Sequence, residues 1–145
     1  MNWKNEAIEK LRRYPSMQLA SHNLPEEISM LEDAFASIRS AKMDATPSKG
    51  GGNKREEALL NNIVKRQELR DALEHTRKWL NCTDRALRGL TKEERQILQR
   101  MFIYPEAGNI QRLCQELGVE QSSVYRKRDK ALERFTRALY GATES

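Results

Sequence analysis

Residues that usually announce chemistry are scarce in this chain. Among 145 residues there are two cysteines and two histidines. Cys82 and Cys114 stand alone, with no Cys-x-x-Cys pair and no Cys/His cluster, so neither a disulfide framework nor a zinc site is expected. Solitary thiols of this kind suit the reducing cytoplasm. His22 lies in a polar stretch and His75 on the polar side of a helical pattern. Neither has a Cys, Ser or carboxylate partner at catalytic spacing, so no enzyme, cofactor or metal is expected. Aromatic residues are only 6% of the chain, too few for a β-rich fold, which draws on aromatic and β-branched side chains. No apolar run approaches the roughly 20 residues that span a membrane. The N-terminus has no apolar signal-peptide core.

Glycine is also sparse, with three of the seven glycines gathered in Asp44–Asn53 beside Pro47. A phosphate-cradling loop needs a glycine, four residues and then Gly-Lys-Ser/Thr after a strand. Here Lys49 precedes the glycines and no strand pattern precedes them. The stretch 44–53 therefore reads as a hinge.

What the chain does have is charge and helical periodicity. Charged residues are 32% of it, hydrophobic ones 38%, and the net charge is +5. An all-α protein follows. Trp3, Ala7, Ile8 and Leu11 mark one face of a first helix, Asn2–Arg13, which Tyr14–Pro15 should end. After a polar connection, Ser16–Asn23, a second helix is expected from Leu24–Pro25 to about Met43, with a seam of Ile28, Leu31, Phe35 and Ile38. Lys54–Arg88 has no internal proline or glycine and reads as one long helix. Leu59, Leu73, Leu80 and Leu87 keep a seven-residue repeat that Arg66 interrupts, beside a second line of Leu69, Thr76, Thr83 and Leu90. Ala72, Trp79 and Ala86 should widen this stripe. It should pack on the first two helices, and part of the 54–88 helix offers a seam for a homodimer. Residues 1–89 thus form a helical hairpin and long-helix assembly module.

Residues 90–141 form the second part. Thr91 and Glu94 make a capping box at the head of a helix running to Tyr104, with Ile97, Leu98, Met101 and Phe102 inward. After a turn at 105–108 comes a helix-turn-helix pattern. Its first helix is Ile110–Leu117, its turn Gly118–Val119–Glu120, and its second helix starts at Gln121. Gly118 tolerates the positive φ of a reversal. Val119 plugs the corner, and Cys114 is small where the helices approach. Val124, Ala131 and Leu132 face inward. Between Gln121 and Tyr140 stand six basic residues, Arg126, Lys127, Arg128, Lys130, Arg134 and Arg137, against two acidic ones, Asp129 and Glu133, a net charge of +4. A duplex supplies the matching negative charge, and counterion release favours binding.

Residues 90–139, with LTKEERQILQRMF and LCQELGVEQSSVYRKRDKAL, resemble region 4 of bacterial sigma factors. The shared features are a leucine before an acidic-basic helix start, the Leu-Gly-Val corner, and a valine seven residues before an Ala-Leu pair, here Val124 and Ala131–Leu132. Across the whole chain, SKGGGNKREEALLNNIV, SVYRKRDKAL and FTRALYG are similar to the ArpU/RinA-type late transcription regulators of phages and prophages. The resemblance implies a regulator of phage gene expression in the cytoplasm of a bacterial host, associated with the nucleoid. A complete sigma factor also carries a promoter-melting segment rich in aromatics. Residues 1–90 offer only Trp3, Tyr14, Phe35 and Trp79, widely spaced, so promoter opening should fall to a partner.

The expected groove-facing residues are Glu120, Gln121, Ser122, Tyr125, Arg126 and Asp129. Gln121 suits adenine, and Arg126 suits guanine O6/N7. Tyr125 suits a thymine methyl or a phosphate. Ser123, Lys127, Arg128 and Lys130 are placed for phosphates, which fix register without reading sequence, and Arg112 for the backbone. Sigma region 4 commonly has charged residues where Gln121 and Ser122 stand, so a target other than a standard −35 element is expected. The expected partners are double-stranded promoter DNA, host RNA polymerase and a second copy of the chain. A dimer would present two reading helices to half-sites about one duplex turn apart, or a multiple of it. Two rival readings remain. One is an RNA-polymerase-binding interaction protein with little DNA specificity. The other is a small-terminase-like DNA-packaging protein, which should form a large ring.

Overall fold

The computed structural model describes residues 2–41 and 51–143. The chain forms α1 (Trp3–Ser40), α2 (Gly51–Arg88), α3 (Lys92–Leu98), a π-helical turn (Gln99–Ile103), α4 (Asn109–Leu117) and α5 (Gln121–Tyr140). No strand occurs among the described residues, so the protein is all-α there.

The expected break at Tyr14–Pro15, the polar connection 16–23 and the new start at Leu24–Pro25 are all absent, because one helix runs through both prolines. A proline inside a helix forfeits its N–H bond and crowds the carbonyl four residues back, at a cost of about 3 kcal/mol. Its φ is nonetheless helical, so packing can override the cost. The phase of the packed face explains why it does. Ala7, Leu11, Tyr14, Gln18, Ser21, Pro25 and Ile28 are buried or half-buried at alternating spacings of four and three, and that alternation passes the prolines unbroken. The helix ends at Ser40, whose hydroxyl donates to the Ala36 carbonyl (2.7 Å). The expected end at Met43 lies outside the described residues. So do residues 44–50 of the expected hinge, whereas 51–53 already belong to α2.

The chain divides into two compact units, Met1–Gln18 with Lys78–Ser145, and Leu19–Arg77. This is not a division at 89/90. In the Leu19–Arg77 unit, α1 and α2 are antiparallel, since Arg55 near the start of α2 meets the end of α1 and Arg70 meets Glu32 farther back. Arg55 donates to the carbonyls of Ile38 (3.1 Å) and Arg39, Asn62 to that of Leu31 (2.8 Å), and Arg66 stacks 4.7 Å from the Phe35 ring. Arg70 pairs with Glu32 at 2.9 Å. The α2 face turned to α1 carries Asn62, Leu69, Leu73 and Thr76. Its buried polar groups are satisfied, as burial requires. Asn62 also accepts from Arg66 (2.7 Å), and the Thr76 hydroxyl donates to the Ala72 carbonyl (2.8 Å). Ala72 itself is exposed and does not widen the stripe.

The other unit holds two cores. The larger joins Ala7 and Leu11 of α1, Ala86 of α2, Leu90, Leu98, Ile103, and Ala131, Leu132 and Phe135 of α5. The smaller is Ile97, Leu113 and Val124, covered by Met101, Ile110, Cys114, Leu117 and Val119. Trp3 lies against Tyr140, ring centroids 5.0 Å apart. Adjacent residues on the helix after Thr91 serve both cores, Ile97 the smaller and Leu98 the larger. The expected single helix to Tyr104 changes winding at Gln99, where the wider π turn closes with Tyr104 N–H donating to the Gln99 carbonyl (2.8 Å). Met101 then meets the smaller core, and Phe102 and Ile103 the larger.

Candidate nucleic-acid interface

The start of α3 is fixed locally. The Thr91 hydroxyl accepts from the Glu94 N–H (3.1 Å), and Glu94 Oε1 accepts from the Thr91 N–H (2.9 Å), the expected capping box. The start of α4 is tied to the π turn, because the Asn109 amide donates to the Arg100 carbonyl (3.1 Å). Arg100 and Gln96 both reach Glu116 on α4, Arg100 at 2.7 Å. These ties set α4 against the helix before it, and α4 sets the corner.

The corner follows from Gly118. Its φ of 65° is left-handed, the region that a Cβ penalises. A Cβ there would meet nothing within 4 Å, so glycine is required for its backbone alone. The Val119 N–H then donates to the Cys114 carbonyl (3.2 Å), and both side chains cover the smaller core. Gln121 opens α5, with Glu120 extended at its N-cap.

The inner face of α5 is anchored by Val124, Ala131, Leu132, Phe135 and Thr136, all buried. Glu120, Gln121, Ser122, Arg126, Asp129 and Lys130 are exposed, while Ser123, Tyr125, Lys127 and Arg128 are half-buried. The Gln121 amide donates to the Tyr125 hydroxyl (3.4 Å), and Arg126 donates to the Ser123 hydroxyl (3.1 Å). The ten sequence-assigned residues thus share the N-terminal half of one helix and its cap.

Charge is distributed less freely than the sequence suggests. Lys127 pairs with Glu93 at 2.6 Å, and Arg134 with Glu94 at 3.1 Å. Arg128 pairs with Asp129 at 2.9 Å and lies 4.9 Å from the Tyr125 ring centroid. Arg137 pairs with Glu133 at 2.9 Å. Among the described residues, only Arg126 and Lys130 of the six α5 cations have no carboxylate partner. Counting the two α3 carboxylates with the helix's own two, the local balance falls from +4 to +2. Arg112 is likewise engaged, with Glu106 at 2.8 Å. Among the residues expected to face a groove, Arg126 is thus the exposed cation with no described carboxylate partner.

Two clefts flank α5. A small one of about 190 Å³ lies between α3 and α5, lined by Glu93, Glu94, Lys127, Lys130 and Arg134 with Thr91 and Ile97. Glu94 is only 8% exposed, and its second oxygen, Oε2, is buried with no hydrogen-bond partner among the described residues. A wider, open cleft of about 590 Å³ lies on the other side, between α5 residues Arg128, Asp129 and Leu132, Phe102, and the start of α1 at Asn2, Lys4, Asn5 and Ile8. The sequence did not place α1 beside α5. Its Trp3–Leu11 stripe is expected to meet the 54–88 helix, and nothing in its spacing points to α5 as well.

No group of three or more His, Cys, Asp or Glu side chains that could hold a metal occurs among the described residues. Nor is any helix there long and apolar enough to cross a membrane. The shifted ionisations lie away from the N-terminal half of α5. Burial pushes Tyr14 up to about 12, helped by the hydrogen bond it donates to Asp84 and by that carboxylate's charge. Burial also raises Tyr140. Compared with known proteins, the chain matches no family model, no curated protein and no solved structure.

Proposed function

We propose that this chain is a sequence-specific DNA-binding transcriptional regulator that reads promoter DNA with α5 and acts with RNA polymerase. On this reading α4, the Gly118 turn and α5 work as a helix-turn-helix similar to sigma region 4, and the protein is a binding protein, not an enzyme. One observation carries the proposal. Gln121, Ser122 and Arg126 are exposed on a helix whose opposite face is fully anchored, and Arg126 is unneutralised by any described carboxylate. A guanidinium so placed can give two parallel bonds to guanine, while Lys130 meets a phosphate. A phage or prophage origin rests on the sequence resemblance alone. A homodimer through α2, the partner its seven-residue repeat suggests, would have to use exposed positions of that helix other than Leu60, Ile63 and Val64.

The test is fluorescence anisotropy with promoter fragments across a salt series. Wild type should bind one sequence over others, and Arg126→Ala should cost about 1–3 kcal/mol at one base position and relax specificity there. Equal affinity for all duplexes, or no loss in Arg126→Ala, would overturn the proposal. The internal pairing of Lys127, Arg128, Arg134 and Arg137 favours a second reading, an RNA-polymerase-binding protein with little DNA specificity. That reading expects polymerase capture that survives Arg126→Ala.

A further inference from the structure

In the Leu19–Arg77 unit, α2 has two faces of different character. One packs on α1 through Asn62, Arg66 and Leu73. On the same stretch Leu60, Ile63 and Val64 are 61%, 44% and 56% exposed. Spacings of three and four put these three on one side of the helix. At 100° per residue that side is turned about a third of a circle from the face α1 covers. They are therefore not the margin of the hairpin seam. In a chain this rich in charge, an aligned apolar cluster left in water marks an interaction site.

Its surroundings specify the occupant. One turn before the cluster stand Glu56 and Glu57, and beyond it Glu68 and Asp71, all exposed. No described ion pair involves any of the four. Of the nearby cations, Arg66 stacks on Phe35 and Arg70 pairs with Glu32, both on α1. Lys54 and Lys65, both exposed, lie about a third of a circle or more around the helix from the centre of the apolar cluster. The result is a three-residue apolar centre with an acidic rim at both ends.

We propose that this face of α2 docks a basic amphipathic helix of another protein. The partner's apolar residues, spaced three and four apart, lie along Leu60, Ile63 and Val64. Its Lys or Arg residues meet Glu56 and Glu57 at one end and Glu68 and Asp71 at the other. A second copy of this chain is a poor occupant. Placed antiparallel, the face sets its glutamates against Glu68 and Asp71, and placed parallel it sets each carboxylate near its own copy. The inference does not depend on DNA binding, because none of its residues lies on α5.

The probe is a labelled synthetic helix of leucine and lysine, leucines on one side, about five turns long, titrated with the full chain. Its control is a peptide of the same composition in shuffled order. Saturable one-to-one binding is expected. Ile63→Ser, Leu60→Ser, and the charge reversal Glu56→Lys with Glu57→Lys should each weaken it by about tenfold. These positions are exposed, so circular dichroism of the variants should match wild type. Equal binding of the shuffled peptide would reduce the site to charge alone and overturn the proposal. So would binding unchanged in Ile63→Ser, or a wild-type dimer in light scattering that Leu60→Ser converts to monomer.

Discussion

Lys127 of α5 is held by Glu93 of α3, Nζ to Oε1, at 2.6 Å. A side chain that the sequence assigns to phosphate is therefore already neutralised, and under the proposed function DNA would have to compete for it. Both side chains are nearly half exposed, so the pair contributes little to stability, about 0–1 kcal/mol. Its consequence is for binding. Glu93→Gln should raise affinity for duplex DNA by a few-fold at moderate salt and steepen the salt dependence by about one counterion. Anisotropy across a salt series measures both. An unchanged slope would mean Lys127 never reaches a phosphate. Because Arg126→Ala tests the reading itself, a null result for Glu93→Gln can be told apart from a failure of DNA binding.

Glu94 does two jobs with one oxygen, accepting from the Thr91 backbone N–H and forming an ion pair with Arg134. Thr91→Ala should cost about 1 kcal/mol as the loss of a helix cap. Glu94→Ala should cost about 1–2 kcal/mol, since it also leaves Arg134 unpaired. The double variant should cost less than the sum, because both act on one cap. Trp3 and Trp79 both lie in the unit that contains α3, so urea unfolding followed by tryptophan fluorescence reports that unit. Full additivity would show that the reciprocal bond carries no energy.

Pro25 sits inside α1 and forfeits one helical hydrogen bond. Pro25→Ala should stabilise the Leu19–Arg77 unit by about 1–3 kcal/mol, somewhat below the intrinsic proline penalty because alanine also loosens the unfolded chain. The check is amide hydrogen exchange over α1, where protection should rise on both sides of residue 25. Faster exchange there would show that the proline ring's packing outweighs the bond it costs.

Tyr14 gives a pH signature. Its pKa is raised from the ordinary 10.0 to about 12 by burial and by Asp84. Since the folded value lies above the unfolded one, its contribution is fully present below pH 10 and is lost as pH rises toward 12. Thermal midpoints should fall more steeply over that interval for wild type than for Tyr14→Phe, which has no proton to lose. Parallel curves would show that the hydroxyl titrates as it does in the unfolded chain.

The parts of the fold visible in the sequence were those set by nearby residues. The Thr91–Glu94 box and the left-handed Gly118 are each decided within a few positions, and both helix ends fall where the sequence puts them. Pro15 and Pro25 misled because their penalty is local while the packing that overrides it is not. The four-and-three phase from Ala7 to Ile28 was readable, but it asks for a buried face at Gln18 and Ser21, where the residues are polar. The ten assigned α5 positions could be placed on one helix end from spacing alone. The neutralisation of Lys127 and Arg134 could not, because Glu93 and Glu94 are more than thirty residues away in sequence and only the fold brings them near.

The π turn at Gln99–Ile103 has a consequence for how this chain can change. A π turn is an α-helix with one surplus residue, so deleting any one residue of the five should restore ordinary winding. Five residues of π winding cover about the same rotation as four of α winding, so the chain beyond would keep its phase while the turn itself lost a side chain. Met101 serves one core, and Phe102 and Ile103 the other, so a shortened turn cannot fill both. The surplus residue lets a single turn supply side chains to two cores. Drift in length at this point is closed to the protein, while substitutions that keep the count remain open.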